Sequence, residues 1–371
     1  MIRIEEVKSR AQRKAFVELP LRMYKGNEFF VPPLYGDEMK MFTDKNVYFR
    51  TCQSAFFLAY KDDKLVGRIQ GIIQKQYNEL HSQRRVRFSR FDSIDDQDVA
   101  NALFDAVASW AKALGMDTLC GPLGYSDLER EGLLIEGFDQ LSTFEEQYNF
   151  DYYGRLCDGY GLKKEVDWLE YRLFSPEKRN PMVAKLAKKS LDLERLHLAG
   201  PEKSRKAFIN KYREGIFRCL DECYKNLYGV VPFTREMEDQ MVSQFLLLVD
   251  QRYVIVVLDE SEKVVAFGLG FPAIGQAVQK SGGRLTLPTI IKILKTVKKP
   301  RSLDLGLIAV LPEYQAKAVN AVMMEGLLDM LEKVEYCETN LNLEDNYQVQ
   351  AQWKHFNAVH HKRRRSYVKT L

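Results

Sequence analysis

The sequence predicts a mixed α/β protein in which one domain occurs twice. Three pairs of similar stretches, each pair separated by about 195 residues, support this prediction. SRAQRKAF is echoed by EKSRKAF, and FLAYKDDKLVGRIQGI is echoed by VIVVLDESEKVVAFGLGF, where both members of the second pair read as strand, charged turn and strand. Asn149 and Asn346 each open a predicted helix that leads into a strand. Because this spacing is too long for a solenoid repeat, we expect two tandem domains, residues 1–175 and 176–371.

In the first copy, alternating or apolar runs rich in Val, Ile and aromatic residues predict strands at residues 2–7, 55–74, 85–91, 117–124 and 161–173, the second being a hairpin. The helix predicted over residues 95–114 has apolar residues at helical spacing, namely Val99, Leu103, Val107, Trp110 and Leu114. Further helices are predicted at residues 11–24 and 149–158. Pro176 and Pro181 predict the domain boundary.

The second copy repeats this order. Strands are predicted at residues 193–198, 253–271, 302–310 and 335–343, with a basic strand at the end, and helices at residues 202–227, 234–249, 313–334 and 346–356. An insert, residues 273–300, separates the hairpin from the next strand. Each copy therefore reads β–α–α–β–β–β–α–β–α–β, which predicts a mixed sheet covered by helices.

The bulk properties narrow the class of protein. The chain has 371 residues, 46% hydrophobic and 29% charged, which is typical of a globular protein with enough chain for two cores. No apolar run approaches the roughly 20 residues of a membrane span, and the first ten residues lack an apolar signal region. Six dispersed cysteines suit a reducing compartment, so we expect a cytoplasmic protein. The net charge of +4 does not indicate nucleic-acid binding.

The stretch LDLGLIAVLPEYQAKAVNAVMMEGLL in the second copy carries a family resemblance. With the order of elements, and with YNFDYYGRLCDGYGLKK in the first copy, it resembles the GCN5-related N-acetyltransferase superfamily. The family has a strand ending in Val, then Pro-Glu-Tyr, then a Gln- or Arg-led glycine loop that opens a long helix. Val310, Pro312, Glu313, Tyr314 and Gln315 match. The resemblance implies two acyl-CoA N-acyltransferase-like domains with acetyl-CoA or another acyl-CoA as co-substrate, and it implies no metal.

A helix N-terminus with close backbone approach can hold the pyrophosphate of coenzyme A. Ala318 and Asn320 stand where the family has its two small residues, and Asn320 departs from the pattern by its size. The first copy departs further, because Asp95, Asp96 and Asp98 open the equivalent helix and would repel a phosphate. The resemblance therefore places the cofactor in the second copy, at Ile308, Ala309, Val310, Gln315, Ala316, Lys317, Ala318, Val319, Asn320 and Asn346.

Amide formation needs a base for the amine, a donor for the oxyanion and an acid for the thiolate. The resemblance places the oxyanion donor, a backbone N–H, near Ile308 to Val310. Asp304 and Glu338 are the candidate bases, and Tyr367 is the candidate acid. The alternative interpretation of Asp304 is a salt-bridged strand end, and that of Glu338 is a solvent-facing edge.

The acceptor, a small-molecule or peptide amine, is expected between the fourth and fifth strands of the second copy, fenced by the insert. Asn340 and Asn342 share the face of Glu338 by the period of two, and Arg284 in the insert is a candidate for contact with an anionic ligand. Asn346 has helix capping as its alternative role. Cys219 and Cys223, at i and i+4, are interpreted as core residues rather than a metal pair.

Two basic stretches leave alternatives open. TIIKILKTVKK is an amphipathic segment that suits either a membrane surface or an ordinary exposed helix, and the tail HHKRRR suits either phosphate binding or an exposed terminal strand.

Three rival functions remain open. They are a non-catalytic tandem scaffold, an aminoacyl-tRNA-dependent transferase similar to the peptidoglycan-bridge enzymes, and N-acylation with a long chain. Nucleic acid is not the expected partner.

Overall fold

The computed structural model describes residues 1–371 and divides the chain into two compact units. The first unit comprises Met1–Leu169, Gly275–Ile290 and His361–Leu371, and the second comprises Glu170–Ile274 and Ile291–His360. The units are thus not contiguous in sequence. Part of the insert and the end of the chain belong with the N-terminal copy, whereas the boundary at 175/176 remains our proposal for where the repeat divides.

The N-terminal copy contains the predicted elements in the predicted order, with three additions. Its strands are β1 (Ile2–Glu6), β2 (Cys52–Lys61), β3 (Lys64–Gln74), β4 (Arg85–Ser93), β5 (Thr118–Gly121), β6 (Leu133–Glu136) and β7 (Lys163–Phe174). Its helices are α1 (Arg10–Met23), α2 (Tyr35–Lys40), α3 (Lys75–His81), α4 (Gln97–Ala113) and α5 (Tyr152–Gly159). The additions are the short helices α2 and α3 and the strand β6.

The C-terminal copy contains more helices than we predicted. Its helices are α6 (Pro181–Leu193), α7 (Arg205–Tyr224), α8 (Arg235–Phe245), α9 (Gly275–Gln279), α10 (Leu287–Lys298), α11 (Pro312–Gln315), α12 (Val319–Leu331) and α13 (Tyr347–Gln352). Its strands are β8 (His197–Leu198), β9 (Val254–Leu258), β10 (Val264–Pro272), β11 (Ser302–Val310), β12 (Tyr336–Thr339), β13 (Asn342–Leu343) and β14 (Asn357–Thr370).

Within the first unit the strands neighbour each other in the order β1-β2-β3-β4-β5-β14. All of these pairs are antiparallel except β4 and β5, which are parallel. The core lies where α4 packs on the hairpin, with Val99, Leu103 and Val107 fully buried as predicted. Gly67 makes this approach close, since a Cβ there would lie 2.8 Å from Leu103 Cδ1.

Within the second unit the order is β7-β12-β11-β10-β9-β8, with β11 and β12 parallel. The apolar face predicted for α12 is buried, and it forms the centre of this unit's core with Met323 and Leu327. Asn180 caps α6 from its N-cap position and Pro181 occupies the first helical position, so a helix begins where we predicted only a boundary.

The end of each copy's final strand lies in the other copy's unit. The end of β7 pairs with β12, with Leu173 opposite Cys337. The end of β14 pairs with β5, with Tyr367 opposite Gly121 and Val368 opposite Cys120. No helix in the structure combines the length and the apolar character needed to cross a membrane.

Candidate active site in the second unit

The parallel strands β11 and β12 separate part of the way along their length. They pair from Ser302 opposite Tyr336 to Leu305 opposite Thr339, and the Asn340 N–H donates to the Leu305 carbonyl at 3.1 Å. Beyond that point β11 continues to Val310 and pairs only with β10 on its other side. One edge of β11 is therefore open from Gly306 to Val310, which leaves a cleft between the two strands.

The helix that follows β11 begins without a side-chain cap. The chain turns through α11 and reaches Ala318, whose φ of 59° and ψ of 20° lie in the left-handed region. Glycine is favoured there because a Cβ is strained, and the family resemblance expects a small residue at this position. The first turn of α12 carries no acidic residue. No acidic side chain of α12 itself therefore competes at this N-terminus, and a pyrophosphate fits the chemistry of this turn.

Two predicted cofactor residues in this loop make contacts of their own. Lys317 Nζ lies 2.8 Å from a carboxylate oxygen of Glu194 and 4.8 Å from the ring centroid of Tyr314. The hydrogen bond to Glu194 raises the pKa of Lys317. Gln315 donates from Nε2 to the Val310 carbonyl at 3.0 Å. The Lys317 carbonyl accepts from Ser190 Oγ at 2.7 Å, so α6 supports the loop.

The two candidate bases lie side by side. Asp304 on β11 is opposite Glu338 on β12 and opposite Phe271 on β10, while Glu338 is in turn opposite Arg172 on β7. Arg172 Nη2 donates to Glu338 Oε1 at 2.7 Å, and its guanidinium lies over the ring of Tyr336. Glu338 is buried rather than solvent-facing, and Asp304 is half-buried. The carboxylates of Asp304 and Glu338 and the guanidinium of Arg172 therefore belong to residues at one register position across β11, β12 and β7.

The predicted acceptor residues Asn340 and Asn342 hold the turn after β12. Asn342 donates to Thr339 Oγ1 at 2.9 Å and accepts from the indole N–H of Trp353 at 3.3 Å. Asn340 Oδ1 accepts from the Leu341 N–H at 2.8 Å. This turn forms one side of the cleft, and its hydrogen bonds fix the backbone there.

A residue that the sequence did not single out lies on the open edge of β11. The hydroxyl of Tyr224, the last residue of α7, donates to the Ile308 carbonyl at 3.0 Å and lies 3.4 Å from the Ile308 N–H. Ile308 is the position at which the family resemblance expects the oxyanion donor. Among 19 tyrosines nothing in the local sequence marks this one. Arg172 was missed for a related reason, because its pairing with Glu338 joins distant parts of the chain.

The remaining predicted site residues have structural contacts. Asn346 caps α13 by accepting from the Val349 N–H at 3.2 Å. This is the alternative role that we considered for Asn346. Ala309 and Val310 are buried, and Val319 belongs to the core of the second unit, whereas Ala316 is exposed and Asn320 half-buried at the loop.

Arg284 and Tyr367 belong to the first unit. Arg284 pairs with Glu18 at 2.8 Å and lies over the ring of Tyr35. Tyr367 is 1% exposed within the first unit's core, and burial is the main cause that raises its pKa. These contacts give both residues a packing role, so we do not retain Tyr367 as the acid or Arg284 as a ligand of the cleft. The insert, predicted to fence the cleft, likewise has residues 275–290 in the first unit.

The corresponding helix start in the first unit is closed to an anion. Asp96 Oδ1 accepts from the N–H groups of Asp98 and Val99 at the beginning of α4. Asp95 pairs with Arg155 beside it, and Lys61 pairs with Asp96. Carboxylates therefore occupy the position that a phosphate would need.

The basic tail is a strand, as one interpretation predicted, but it is not exposed at Lys362 and Arg364. Lys362 and Arg364 are fully buried, and both contact Glu146, with Lys362 Nζ 2.7 Å and Arg364 Nη2 3.3 Å from the same carboxylate oxygen. Arg365 pairs with the buried Asp167. The tail is an interior strand of the first unit, which removes the observation that favoured RNA as a ligand.

The cysteines are all free thiols, and Cys219 is buried with its thiol directed to the Val264 carbonyl. Burial raises the pKa of Cys219 to about 12. Cys219 thus has the core position that we predicted. No group of three or more His, Cys, Asp or Glu side chains in the structure is arranged to hold a metal ion.

Comparisons with known proteins cover nearly the whole chain. Protein YghO of Escherichia coli strain K12 is 26% identical over 368 residues, covering 96% of this chain and 93% of that protein. A bacterial ceramide synthase of Caulobacter vibrioides is 25% identical over 382 residues, covering 98% of this chain and 96% of that protein. No family model matches the chain.

Among solved structures, a tandem GNAT protein from the clavulanic acid biosynthesis pathway has a TM-score of 0.53 at 11% identity, and the match covers 100% of this chain and 98% of that one. The likeness extends over both copies. In its tandem α/β fold, the chain is therefore similar to a protein of the GCN5-related N-acetyltransferase type.

Proposed function

We propose that the protein is an acyl-CoA-dependent N-acyltransferase whose cofactor and reaction site lie in the second unit. The observation that carries this proposal is the open edge of β11 followed by the uncapped N-terminus of α12 at Ala318. An open strand edge offers backbone groups to the amides of pantetheine, and an uncapped helix start offers N–H groups to a pyrophosphate. The GNAT fold supports the same placement.

The cofactor residues in this proposal are Ile308, Ala309 and Val310 on the strand, the loop from Gln315 to Asn320, and Asn346 at the next helix. Bound acyl-CoA supplies an activated thioester carbonyl. The N–H of Ile308 is the proposed donor to the oxyanion, because it points to the open side of β11, where Tyr224 now lies within 3.4 Å.

Asp304 is the proposed proton acceptor for the amine. It is half-buried next to the cleft, whereas the carboxylate of Glu338 makes an ion pair with Arg172. We therefore assign Glu338 a positioning role beside Asp304, in which its negative charge helps to attract a cationic amine. The turn of Asn340 and Asn342 is the proposed wall of the acceptor site, with a small-molecule or peptide amine as acceptor.

A lipid amine is the second candidate acceptor, with a long-chain acyl donor. It is favoured by one observation: a relative covering 98% of this chain is named for the synthesis of ceramide, and a ceramide is a lipid amide. Both versions use the same cleft and differ only in which acyl group and which amine enter it.

The first test is calorimetric titration of the full chain with coenzyme A, acetyl-CoA and palmitoyl-CoA. We expect binding, and we expect Lys317→Glu to weaken it by about tenfold or more, since a carboxylate would then face the pyrophosphate beside Glu194. Lys333→Glu, an exposed substitution at the other end of α12, makes the same change in net charge and should leave the affinity unchanged. No heat with any of the three compounds would refute the proposal.

The second test separates chemistry from binding. Asp304→Asn should lower the rate of thiol release from acyl-CoA in the presence of an amine by about 10²- to 10⁴-fold, with coenzyme A affinity retained. Asp192→Asn on the exposed side of α6 is the control. Running the assay with acetyl-CoA and spermidine, and with palmitoyl-CoA and sphinganine, decides between the two acceptor classes. Full activity of Asp304→Asn would remove Asp304 from the mechanism.

A further inference from the structure

The helix α10 exposes an apolar strip that no part of the chain covers. Leu287, Ile291 and Leu294 recur every three or four positions and therefore share one side of the helix. Their exposed fractions are 72%, 45% and 49%. Leu285, just before the helix, is also exposed. Apolar side chains usually scatter singly over a surface, whereas four on one short segment form a patch.

The same helix is attached to the protein by its other side. Thr289, Ile293 and Val297 are buried, and Arg252 donates to the carbonyls of Val297 and Lys298 at the end of the helix. The helix is thus anchored, and the exposure of its apolar strip does not result from a loose segment.

Four lysines border the apolar strip, and α10 contains no acidic residue. Lys292, Lys295, Lys298 and Lys299 are exposed, and none of them makes an ion pair. Elsewhere on the surface, exposed lysines such as Lys40, Lys211 and Lys317 do pair with carboxylates. An apolar strip flanked by unpaired cations matches the interface of an anionic lipid bilayer, where acyl chains lie below a layer of negative headgroups.

We propose that α10 docks the protein on the surface of a membrane that contains anionic phospholipid. The helix would lie in the plane of the interface, with Leu287, Ile291 and Leu294 inserted among the lipids and the lysines at the headgroups. A second copy of the chain fits this patch less well, because a twofold contact would bring the two sets of lysines together. Docking here is independent of the acyl-CoA site.

The test is co-sedimentation of the full chain with vesicles. One set contains only zwitterionic phosphatidylcholine, and the other contains about a third of phosphatidylglycerol, at roughly 0.1 M salt. We expect binding to the second set that is about tenfold or more above the first, and weaker binding when the salt concentration is raised.

Two variants probe the two parts of the patch separately. The triple variant Lys292→Gln, Lys295→Gln and Lys299→Gln should lose about tenfold or more of the affinity for anionic vesicles. The triple variant Leu287→Ser, Ile291→Ser and Leu294→Ser should lose a similar factor while keeping its salt dependence. Lys75→Gln with Leu80→Ser changes exposed residues of the same types on α3 and should bind like the wild type. All substituted positions are exposed, so we expect every variant to fold. The melting temperature of each variant checks this.

Equal binding to both vesicle sets, or unchanged binding of the lysine variant, would overturn the proposal. So would failure to bind vesicles together with a concentration-dependent dimer that the leucine substitutions abolish. Because coenzyme A binding is measured without vesicles, a negative result here leaves the acyltransferase proposal untouched, and the reverse also holds.

Discussion

The hydroxyl of Tyr224 lies on both backbone polar groups of Ile308, 3.0 Å from its carbonyl oxygen and 3.4 Å from its nitrogen. A side chain from the end of α7 thus occupies the open edge of β11, where a neighbouring strand or a bound pantetheine would otherwise make its hydrogen bonds. Any ligand that uses this edge has to replace the hydroxyl.

This relationship predicts that Tyr224→Phe increases the affinity for coenzyme A. A net hydrogen bond contributes about 0.5–1.5 kcal/mol, so its removal from the unliganded state corresponds to about a two- to tenfold gain. Calorimetric titration of the variant with acetyl-CoA measures this gain in affinity. Tyr60→Phe on β2 of the first unit is the control, since that ring keeps its contact with Arg3. Weaker binding by Tyr224→Phe would show that the hydroxyl assists the ligand instead of competing with it.

The left-handed backbone of Ala318 predicts a sharp dependence on side-chain shape. Ala318→Val should lower the free energy of unfolding by about 1–2 kcal/mol, because a β-branched residue is strained at this φ, and it should weaken coenzyme A binding. Ala318→Gly should keep both properties within about 1 kcal/mol. Urea denaturation and titration are the measurements. Ala316→Val, at an exposed position with φ of −77°, serves as the comparison, and an equal loss in both valine variants would contradict the argument.

The buried cluster around Glu146 predicts that substitutions of two glutamates that contact the same strand lower the free energy of unfolding by very different amounts. Glu146→Gln removes the carboxylate that the buried Lys362 and Arg364 both contact, which should cost about 3–5 kcal/mol of unfolding free energy. Glu136→Gln removes the partially exposed partner of Arg363 and should cost less than about 1 kcal/mol. Urea denaturation of both variants measures this contrast, and similar small losses would show that water reaches the cluster.

The neighbouring Glu145 predicts a dependence of stability on pH. Burial raises its pKa to about 7, with Arg130 acting in the opposite direction. The folded protein therefore binds this proton more tightly than the unfolded chain. The resulting stabilisation is complete below the unfolded pKa of about 4.3 and is lost as the pH rises through about 7.

We expect the wild type to lose up to about 3 kcal/mol of unfolding free energy, relative to Glu145→Gln, between about pH 4 and pH 8. Denaturation series at several pH values measure the difference. Glu79→Gln, at an exposed position of α3, should follow the wild type. Parallel pH profiles for wild type and Glu145→Gln would mean that Glu145 titrates normally.

Local sequence patterns predicted most of the elements. The strand Ser302–Val310 has the predicted bounds, and most of the apolar residues predicted for one face of α4 and of α12 are buried, because apolar periodicity reports which face is covered. Leu114 is an exception, because it follows the end of α4 and is 40% exposed. The predicted helix over 313–334 is interrupted at Ala318. The left-handed turn there was not predicted, because the residue is not a glycine.

The parts of the site that escaped prediction depend on pairings between distant segments. Arg172 lies opposite Glu338, 166 residues later in the chain, and Tyr224 lies on Ile308, 84 residues later. The charges of Lys362 and Arg364 favoured an exposed tail until their partner Glu146 was known. Local periodicity contains no information on such partners, whereas the resemblance to a family placed the cleft by the order of its elements.

The exchange of final strands has a consequence for biosynthesis. Residues 361–371 are synthesised after the rest of the first unit, yet they supply the second neighbour of β5 and the two cations that contact Glu146. The nascent first unit must therefore remain with an unpaired strand edge on β5 until these residues have been synthesised. A chain truncated before residue 361 would thus lack part of the unit that was made first.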